Sequence, residues 1–275
     1  MIGQKSLVEQ FEKFNIETLP KSILIIGAVG SGRKTFIREI AGGLNITLIE
    51  IGQSADDVRE LSVLCNHQVE PTIYLIPNVE QMSAAAQNSL LKILEEPPND
   101  SHFMLTAVQE NMILSTIHSR CITYQMSPYS SDELKQYLSQ TYPTKGQDDM
   151  VIHVVMDACS SPGDIDLLLS QDVKAFLDYV KLTYNNIAKV SGANSFKIGA
   201  KINLADDDKK FDLRLFWRTF TAFCLQIDSN DVDENRKKMM GASITAKYYA
   251  DLQIKGLNKS MLFDNWILDI RKAWM

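Results

Sequence analysis

The chain has 275 residues and a formal net charge of −6 at pH 7, with 45% hydrophobic and 23% charged residues. This composition is ordinary for a soluble globular protein, and the length allows one large domain or two to three small ones. No apolar run approaches the roughly 20 residues that span a bilayer, and the polar N-terminus lacks the apolar core of a secretory signal, so we expect a cytoplasmic protein with no membrane partner. The negative charge argues against a free-standing nucleic-acid binder, which usually has a basic face.

The four cysteines show no pattern of a metal site or of a disulfide framework. Cys65, Cys121, Cys159 and Cys224 lie far apart and form no CxxC pair. We therefore expect no zinc or other metal, and reduced thiols that are mostly buried.

Strand-like and helix-like segments alternate through the first half of the chain. Continuous apolar, β-branched runs separated by helical stretches predict a parallel sheet covered on both faces, in an α/β domain of the P-loop NTPase type. We expect this nucleotide-binding-type domain to cover residues 1–126. The predicted strands are Ser22–Gly27, Ile46–Ile51, Thr72–Ile76, His102–Ala107 and the weaker Cys121–Met126.

Beyond residue 126 the strand pattern gives way to helices. Residues 127–171 predict a small helical domain, with Ser131 or Asp132 capping its first helix and a break at SSPGD before a helix over Ile165–Leu169. Residues 172–275 have helical patterns throughout and predict a third, all-helical domain. Its aromatic stripe is expected to belong to the core and consists of Phe211, Phe216, Phe220 and Phe223.

The stretch GAVGSGRKT, Gly27–Thr35, lies between a strand and a helix, as phosphate-binding loops do. Glycines let the backbone approach an anion closely, and the N–H groups at a helix N-terminus face it. The usual loop continues with lysine and Ser/Thr after its last glycine, but here arginine and lysine take those places and the threonine comes one position late. The alternative is a glycine turn that merely joins strand and helix. The candidate nucleotide-binding residues are Gly27, Gly30, Gly32, Arg33, Lys34 and Thr35.

Hydrolysis of ATP makes demands that these residues do not meet. Magnesium is normally held by the hydroxyl of the loop and by an aspartate that ends a neighbouring strand. Lys34 would repel the metal, and the strand TIYLI is followed by Pro77 and Asn78, while Glu80 lies past the strand end and is expected to be solvated. Arg33 could still pair with phosphate. We predict a degenerate site with no catalytic residue acting in cis, compatible with ATP or ADP held without hydrolysis.

Residues 87–121, QNSLLKILEEPPNDSHFMLTAVQENMILSTIHSRC, closely resemble the clamp-loader branch of the AAA+ ATPases. In that family a helix reading roughly NALLKTLEEPP leads to a strand, a short helix and the triplet SRC. PTIYLIPNVEQMS aligns with the family's strand that ends in two acids, and CSSPGDIDLLL also matches. The resemblance extends over roughly residues 20–170.

Within the family the resemblance is greatest to the delta prime type of DNA polymerase III subunit, in which the ATP site is eroded and SRC is retained. It implies a stator that does not hydrolyse ATP but lends Arg120, with Ser119 and Cys121, as an arginine finger to a neighbouring ATPase. Motor subunits have an arginine about where Gly163 stands, to sense the γ-phosphate, whereas delta prime subunits have a small residue there.

The same resemblance implies the partners and the domain roles. The partners are gamma/tau motor and delta subunits, the sliding clamp and primed DNA. Residues 127–171 correspond to a lid domain, and residues 172–275 to a collar domain that packs the loader into a ring. Lys92, on the LLKILEE helix, is a candidate for contact with DNA, which Glu95 and Glu96 would oppose.

Two other interpretations remain open. An active AAA+ motor of the gamma/tau type would need a metal-binding acid that the strand ends do not offer. One departure from the family leaves room for a scaffold in a phage or recombination complex. Most bacterial relatives insert a four-cysteine zinc module after the first helix, and this chain has none between Thr35 and Thr72.

Overall fold

A computed structural model describes residues 2–187, 212–226, 231–252 and 257–275. The chain divides into two compact units, the first made of residues 1–137 with 161–163 and the second of residues 138–160 with 164–275. The three domains expected from the sequence, with boundaries at residues 126 and 171, stay a prediction. None of the described helices is both long enough and apolar enough to cross a membrane.

The first unit is built on a five-stranded parallel sheet with the strand order β2-β3-β4-β1-β5. This confirms the predicted fold class and all five predicted strands, with ends that differ by at most one residue. The central strands β1, β3 and β4 are buried along their whole length because helices cover both faces, whereas the edge strands β2 and β5 are partly exposed. The strands are β1 Ser22–Ile26, β2 Thr47–Glu50, β3 Thr72–Ile76, β4 Ser101–Ala107 and β5 Ile122–Gln125.

Alternate side chains of the strands supply two separate cores. One core joins Leu24, Tyr74 and Phe103 to the helices α3, α4 and α5. The other joins Ile25 and Met104 to α1 and α2. Burial of each large apolar side chain contributes about 1.5–3 kcal/mol, so the two cores fix the sheet between its helices. These helices are α1 Lys5–Phe11, α2 Arg33–Leu44, α3 Ala55–His67, α4 Ala84–Glu95 and α5 Ser115–His118.

The remaining described segments are helical, and no described residue after Gln125 lies in a strand. The first of these helices is capped by Ser130, which exchanges bonds with Glu133, so the expectation that Ser131 or Asp132 would be the cap is wrong. The helices are α6 Ser131–Thr141, α7 Asp149–Ala158, α8 Pro162–Leu169, α9 Val173–Ile187, α10 Leu213–Leu225, α11 Val232–Asp251 and α12 Lys259–Trp274.

The break expected at SSPGD is shorter than predicted. Helix α8 begins at Pro162, so Pro162 and Gly163 form its first turn instead of a loop before it. Proline is favoured at this position because its N–H is not needed there and its φ already suits a helix.

The second unit has an aromatic core. Phe216 and Phe220 of the predicted stripe are fully buried, and the half-buried Phe223 has its ring 5.1 Å from that of Tyr184. Phe211 lies outside the described residues. Trp266, also fully buried, satisfies its indole N–H with Thr245 Oγ1 at 3.0 Å.

Candidate functional site

The loop between β1 and α2 is a glycine turn that leads into the N-terminus of α2. Gly30 and Gly32 have φ values of 77° and 87°, which a side chain would strain, and Gly32 is the N-cap of α2. Gly27 is needed for space, because a Cβ there would lie 2.8 Å from Ser31 Oγ. The three glycines that the sequence selected therefore shape one turn.

The side chain of Arg33 lies within this turn. Its Nη1 donates to the carbonyl oxygen of Gly27 at 2.9 Å, and its Nη2 donates to Asn78 Oδ1 at 3.3 Å. Burial lowers the pKa of Arg33 from its ordinary value, and the charge of Glu80 acts in the opposite direction. The guanidinium of Arg33 is thus bonded to the first glycine of the loop.

Glu80 is a part of this site that sequence reasoning missed. It lies in a 3₁₀ turn, Val79–Gln81, and is only 7% exposed, so the expectation that it would be solvated is wrong. Its Oε2 is buried and has no hydrogen-bond partner among the described residues. Asn78, in the left-handed region at φ 47°, donates its N–H to Thr106 Oγ1 at 3.0 Å and so starts this turn. The signal was the asparagine, which adopts positive φ more readily than most residues.

Lys34 and Thr35 are not brought to the loop. Lys34 pairs with Glu50 at the end of β2, and Arg38 pairs with the same carboxylate at 3.1 Å. Thr35 is exposed one position further along α2. Of the six predicted loop residues, the structure therefore brings together Gly27, Gly30, Gly32 and Arg33.

Two contacts hold the outer side of the loop. The Tyr129 hydroxyl donates to the Ser31 carbonyl at 2.8 Å, and burial raises the pKa of Tyr129 to about 12. The Gly163 N–H donates to the Gly30 carbonyl at 3.0 Å. A Cβ at residue 163 would lie 2.5 Å from Gly30 Cα, so any side chain there requires the backbone to shift.

The SRC triplet, Ser119–Cys121, connects α5 to β5. Ser119 is the C-cap of α5, and its hydroxyl donates to the Thr116 carbonyl at 3.0 Å. Cys121 packs against the core of the sheet, and burial raises the pKa of its thiol to about 12, so the thiol stays protonated near neutral pH. Ser119 and Cys121 thus anchor the chain immediately before and after Arg120.

The Arg120 side chain is 27% exposed and lies beside the end of α4. Its Nη2 and Nε donate to Glu95 Oε2 at 2.8 and 3.3 Å, and its Nη1 donates to the Thr116 carbonyl at 3.0 Å. Lys92 is exposed on α4, three residues before Glu95.

Helix α4 is tied to the segment that leads to α5. The buried side chain of Gln87 donates to the Met112 carbonyl at 3.3 Å and accepts the Leu114 N–H at 3.0 Å. No role was predicted for Gln87, although glutamine at a buried helix position is expected to form hydrogen bonds.

The described residues include no cluster of metal ligands and no paired thiol. Among them there is no group of three or more His, Cys, Asp or Glu side chains that could hold a metal ion. The four cysteines are free, three of them buried and Cys121 half-buried.

The strand order, the glycine loop after β1 and the helical segments are those of the AAA+ type of fold. The solved structure of a RuvB variant from Thermotoga maritima supports this fold, with a TM-score of 0.54 and 14% sequence identity over 97% of this chain and 87% of that one.

The sequence is similar to those of DNA polymerase III subunits. Residues 45–130 match the family model described as DNA polymerase III, delta subunit. DNA polymerase III subunit gamma of Buchnera aphidicola subsp. Schizaphis graminum is 26% identical over 193 residues, 57% of this chain and 53% of the relative. DNA polymerase III subunit delta' of Buchnera aphidicola subsp. Baizongia pistaciae is 34% identical over 73 residues, 26% of this chain and 22% of the relative. The chain is thus similar to clamp-loader subunits of DNA polymerase III, and it matches about half the length of the gamma subunit.

Proposed function

We propose that this chain is a non-hydrolysing, delta prime-like subunit of a DNA polymerase III clamp loader, which completes the ATPase site of a neighbouring subunit with Arg120. One contrast carries the proposal. The chain's own loop is bonded by Arg33, while Arg120 is partly exposed at the end of a short helix on the same unit.

The loop's own chemistry supports the first half of this proposal. Magnesium-dependent hydrolysis needs a hydroxyl and a carboxylate around the metal. Lys34 pairs with Glu50 instead, Asn78 is neutral, and the buried Glu80 faces the charge of Arg33. A divalent cation that approached Glu80 would meet the positive charge of Arg33.

Nucleotide binding without hydrolysis remains part of the proposal. The glycine turn keeps its shape, so ATP or ADP could bind if Arg33 left the Gly27 carbonyl and paired with phosphate. Because the intramolecular bonds compete with the phosphate, we expect weak binding.

The chemistry of Arg120 supports the second half of the proposal, the completion of a neighbouring subunit's ATPase site. A guanidinium stays charged and offers a planar fork to phosphate oxygens, and an arginine finger accelerates phosphoryl transfer by about 10³–10⁵ in other systems. The partners that follow are gamma/tau-type and delta-type subunits, with the sliding clamp and primed DNA reached through the assembled complex in the cytoplasm.

The test compares the isolated chain with the loader assembled from its cognate gamma/tau-type and delta-type subunits. We expect no magnesium-dependent ATP turnover by the isolated chain and weak ATP binding by calorimetry. In the assembled loader, Arg120→Ala should lower the ATPase kcat of the neighbouring site by at least about tenfold, with assembly intact by gel filtration. Arg59→Ala, which removes an arginine whose side chain is 72% exposed, is the matched control. Unchanged ATPase with Arg120→Ala would rule out the finger.

An active motor is the second candidate. It is favoured by the longer sequence match to a gamma subunit than to a delta' subunit. Rapid magnesium-dependent turnover by the isolated chain would support it and contradict the stator.

A further inference from the structure

The ion pair between Glu95 and Arg120 joins two parts of the first unit that are anchored separately. Glu95 is the last residue of α4, and Arg120 lies 25 positions later, between α5 and β5. Leu90 and Leu94 fix α4 in the core, and Ile117 fixes α5. The pair therefore relates one rigid element to another.

The contacts orient the plane of the guanidinium. One carboxylate oxygen of Glu95 accepts from both Nε and Nη2, which lie along one edge of the group. The Thr116 carbonyl accepts from Nη1 at 3.0 Å. Because arginine has five N–H donors, these bonds leave donor capacity for a phosphate oxygen.

The pair contributes little to stability. The Glu95 side chain is 59% exposed, and ion pairs at this exposure have small net energies because water screens them. What the contact changes is the freedom of a long side chain, since an unheld arginine samples many rotamers.

We propose that Glu95 is a positioning residue, which orients Arg120 for its approach to the neighbouring subunit's ATP. This inference rests on the proposed function. It differs from sequestration, in which the carboxylate would hold the arginine back and its removal would raise the rate.

The experiment uses the assembled loader and the variants Glu95→Ala and Glu95→Gln, with Glu96→Ala as control. Glu96 is the next residue and is also exposed. We expect Glu95→Ala to lower kcat by about tenfold with KM for ATP unchanged, because misplacement by about 1 Å can cost up to 10² in rate. Glu95→Gln retains an oxygen acceptor and should recover part of the loss. Glu96→Ala should behave as the wild type, and an equal loss with it would overturn the inference.

A double-mutant comparison distinguishes the inference from the proposed function. Glu95→Ala should have no further effect in the Arg120→Ala background, because the carboxylate acts through the arginine. If Arg120→Ala lowers kcat and Glu95→Ala leaves it unchanged or raises it, the positioning role is wrong and the finger stands. If Arg120→Ala has no effect, the proposed function itself fails.

Discussion

Two arginines of the first unit, Arg33 and Arg120, are held by different partners. Arg33 bonds to the loop of its own chain, whereas Arg120 is held at a partly exposed position by Glu95. Neither arrangement could be predicted from composition, because Arg33 also bonds to Asn78, 45 positions away, and Arg120 bonds to Glu95, 25 positions away.

His102 is a titrating group that the fold buries. It is 1% exposed on β4, its Nδ1 lies 3.2 Å from the Pro20 carbonyl oxygen, and its Nε2 has no partner among the described residues. Burial, aided by the charge of Lys21, lowers the pKa of His102, while the Pro20 carbonyl and Asp100 oppose this shift. The folded state therefore disfavours the proton that the unfolded chain accepts.

The sign of the pH dependence follows from this difference. The stability that depends on keeping His102 uncharged is fully present above the unfolded pKa of about 6.5. It is lost as the pH falls below this value, at up to about 1.4 kcal/mol per pH unit. Urea unfolding at pH 7.5 and 5.5 should show a steeper loss for the wild type than for His102→Gln. The same substitution at the exposed His67 is the control, and equal slopes for the wild type and His102→Gln would contradict the prediction.

At the scale of elements, the first turn of α8 rests on the glycine loop. Gly163→Ala places a Cβ 2.5 Å from Gly30 Cα, so we expect a loss of about 1–3 kcal/mol in the free energy of unfolding. Gly42→Ala is the matched control, because Gly42 lies inside α2 with nothing within 4 Å of the added Cβ, and it should gain about 0.5–1 kcal/mol. Chemical denaturation of both variants measures the two values. A loss of less than about 0.5 kcal/mol for Gly163→Ala, on the order of ordinary surface changes, would show that this contact is not tight.

Elements were predicted well where a local pattern determines them. Strands β1, β3 and β4 are continuous apolar runs, and such runs are stable only in a sheet that is covered on both faces. The cap of α6 was displaced by one residue because several neighbouring residues can serve as caps and the final choice depends on local geometry.

The candidate site was predicted only in part. The glycines could be selected because positive φ and close backbone approach require glycine itself. The burial of Glu80 could not, since it depends on a turn that Asn78 begins after β3 and that brings the carboxylate near the charge of Arg33. Glu95 was expected to oppose a contact of Lys92 with DNA, and its bond to Arg120 arises only when the ends of α4 and α5 meet in the fold.

The whole chain has a net charge of −6, which repels the negatively charged DNA backbone. Any DNA contact must therefore come from local positive groups in an assembly. Lys92 is such a group, exposed on α4. In the assembled loader, Lys92→Ala should weaken binding to primed DNA several-fold and lower the slope of log K against log salt by about 1. Lys13→Ala, at another exposed lysine, is the control. A salt slope that is unchanged with Lys92→Ala would exclude the phosphate contact.

The bond from Arg33 to Gly27 also bears on how a magnesium-dependent ATPase site could be built at this loop. A lysine at position 33 alone would leave the neighbouring strand end without a carboxylate, and a threonine at position 34 alone would remove a partner of Glu50 while the guanidinium still filled the turn. Each single step thus disturbs an existing contact before any catalytic benefit appears. Under the proposed function, a working ATPase site is consequently hard to rebuild here by single substitutions, and descendants of this chain are more easily kept as structural subunits than converted into motors.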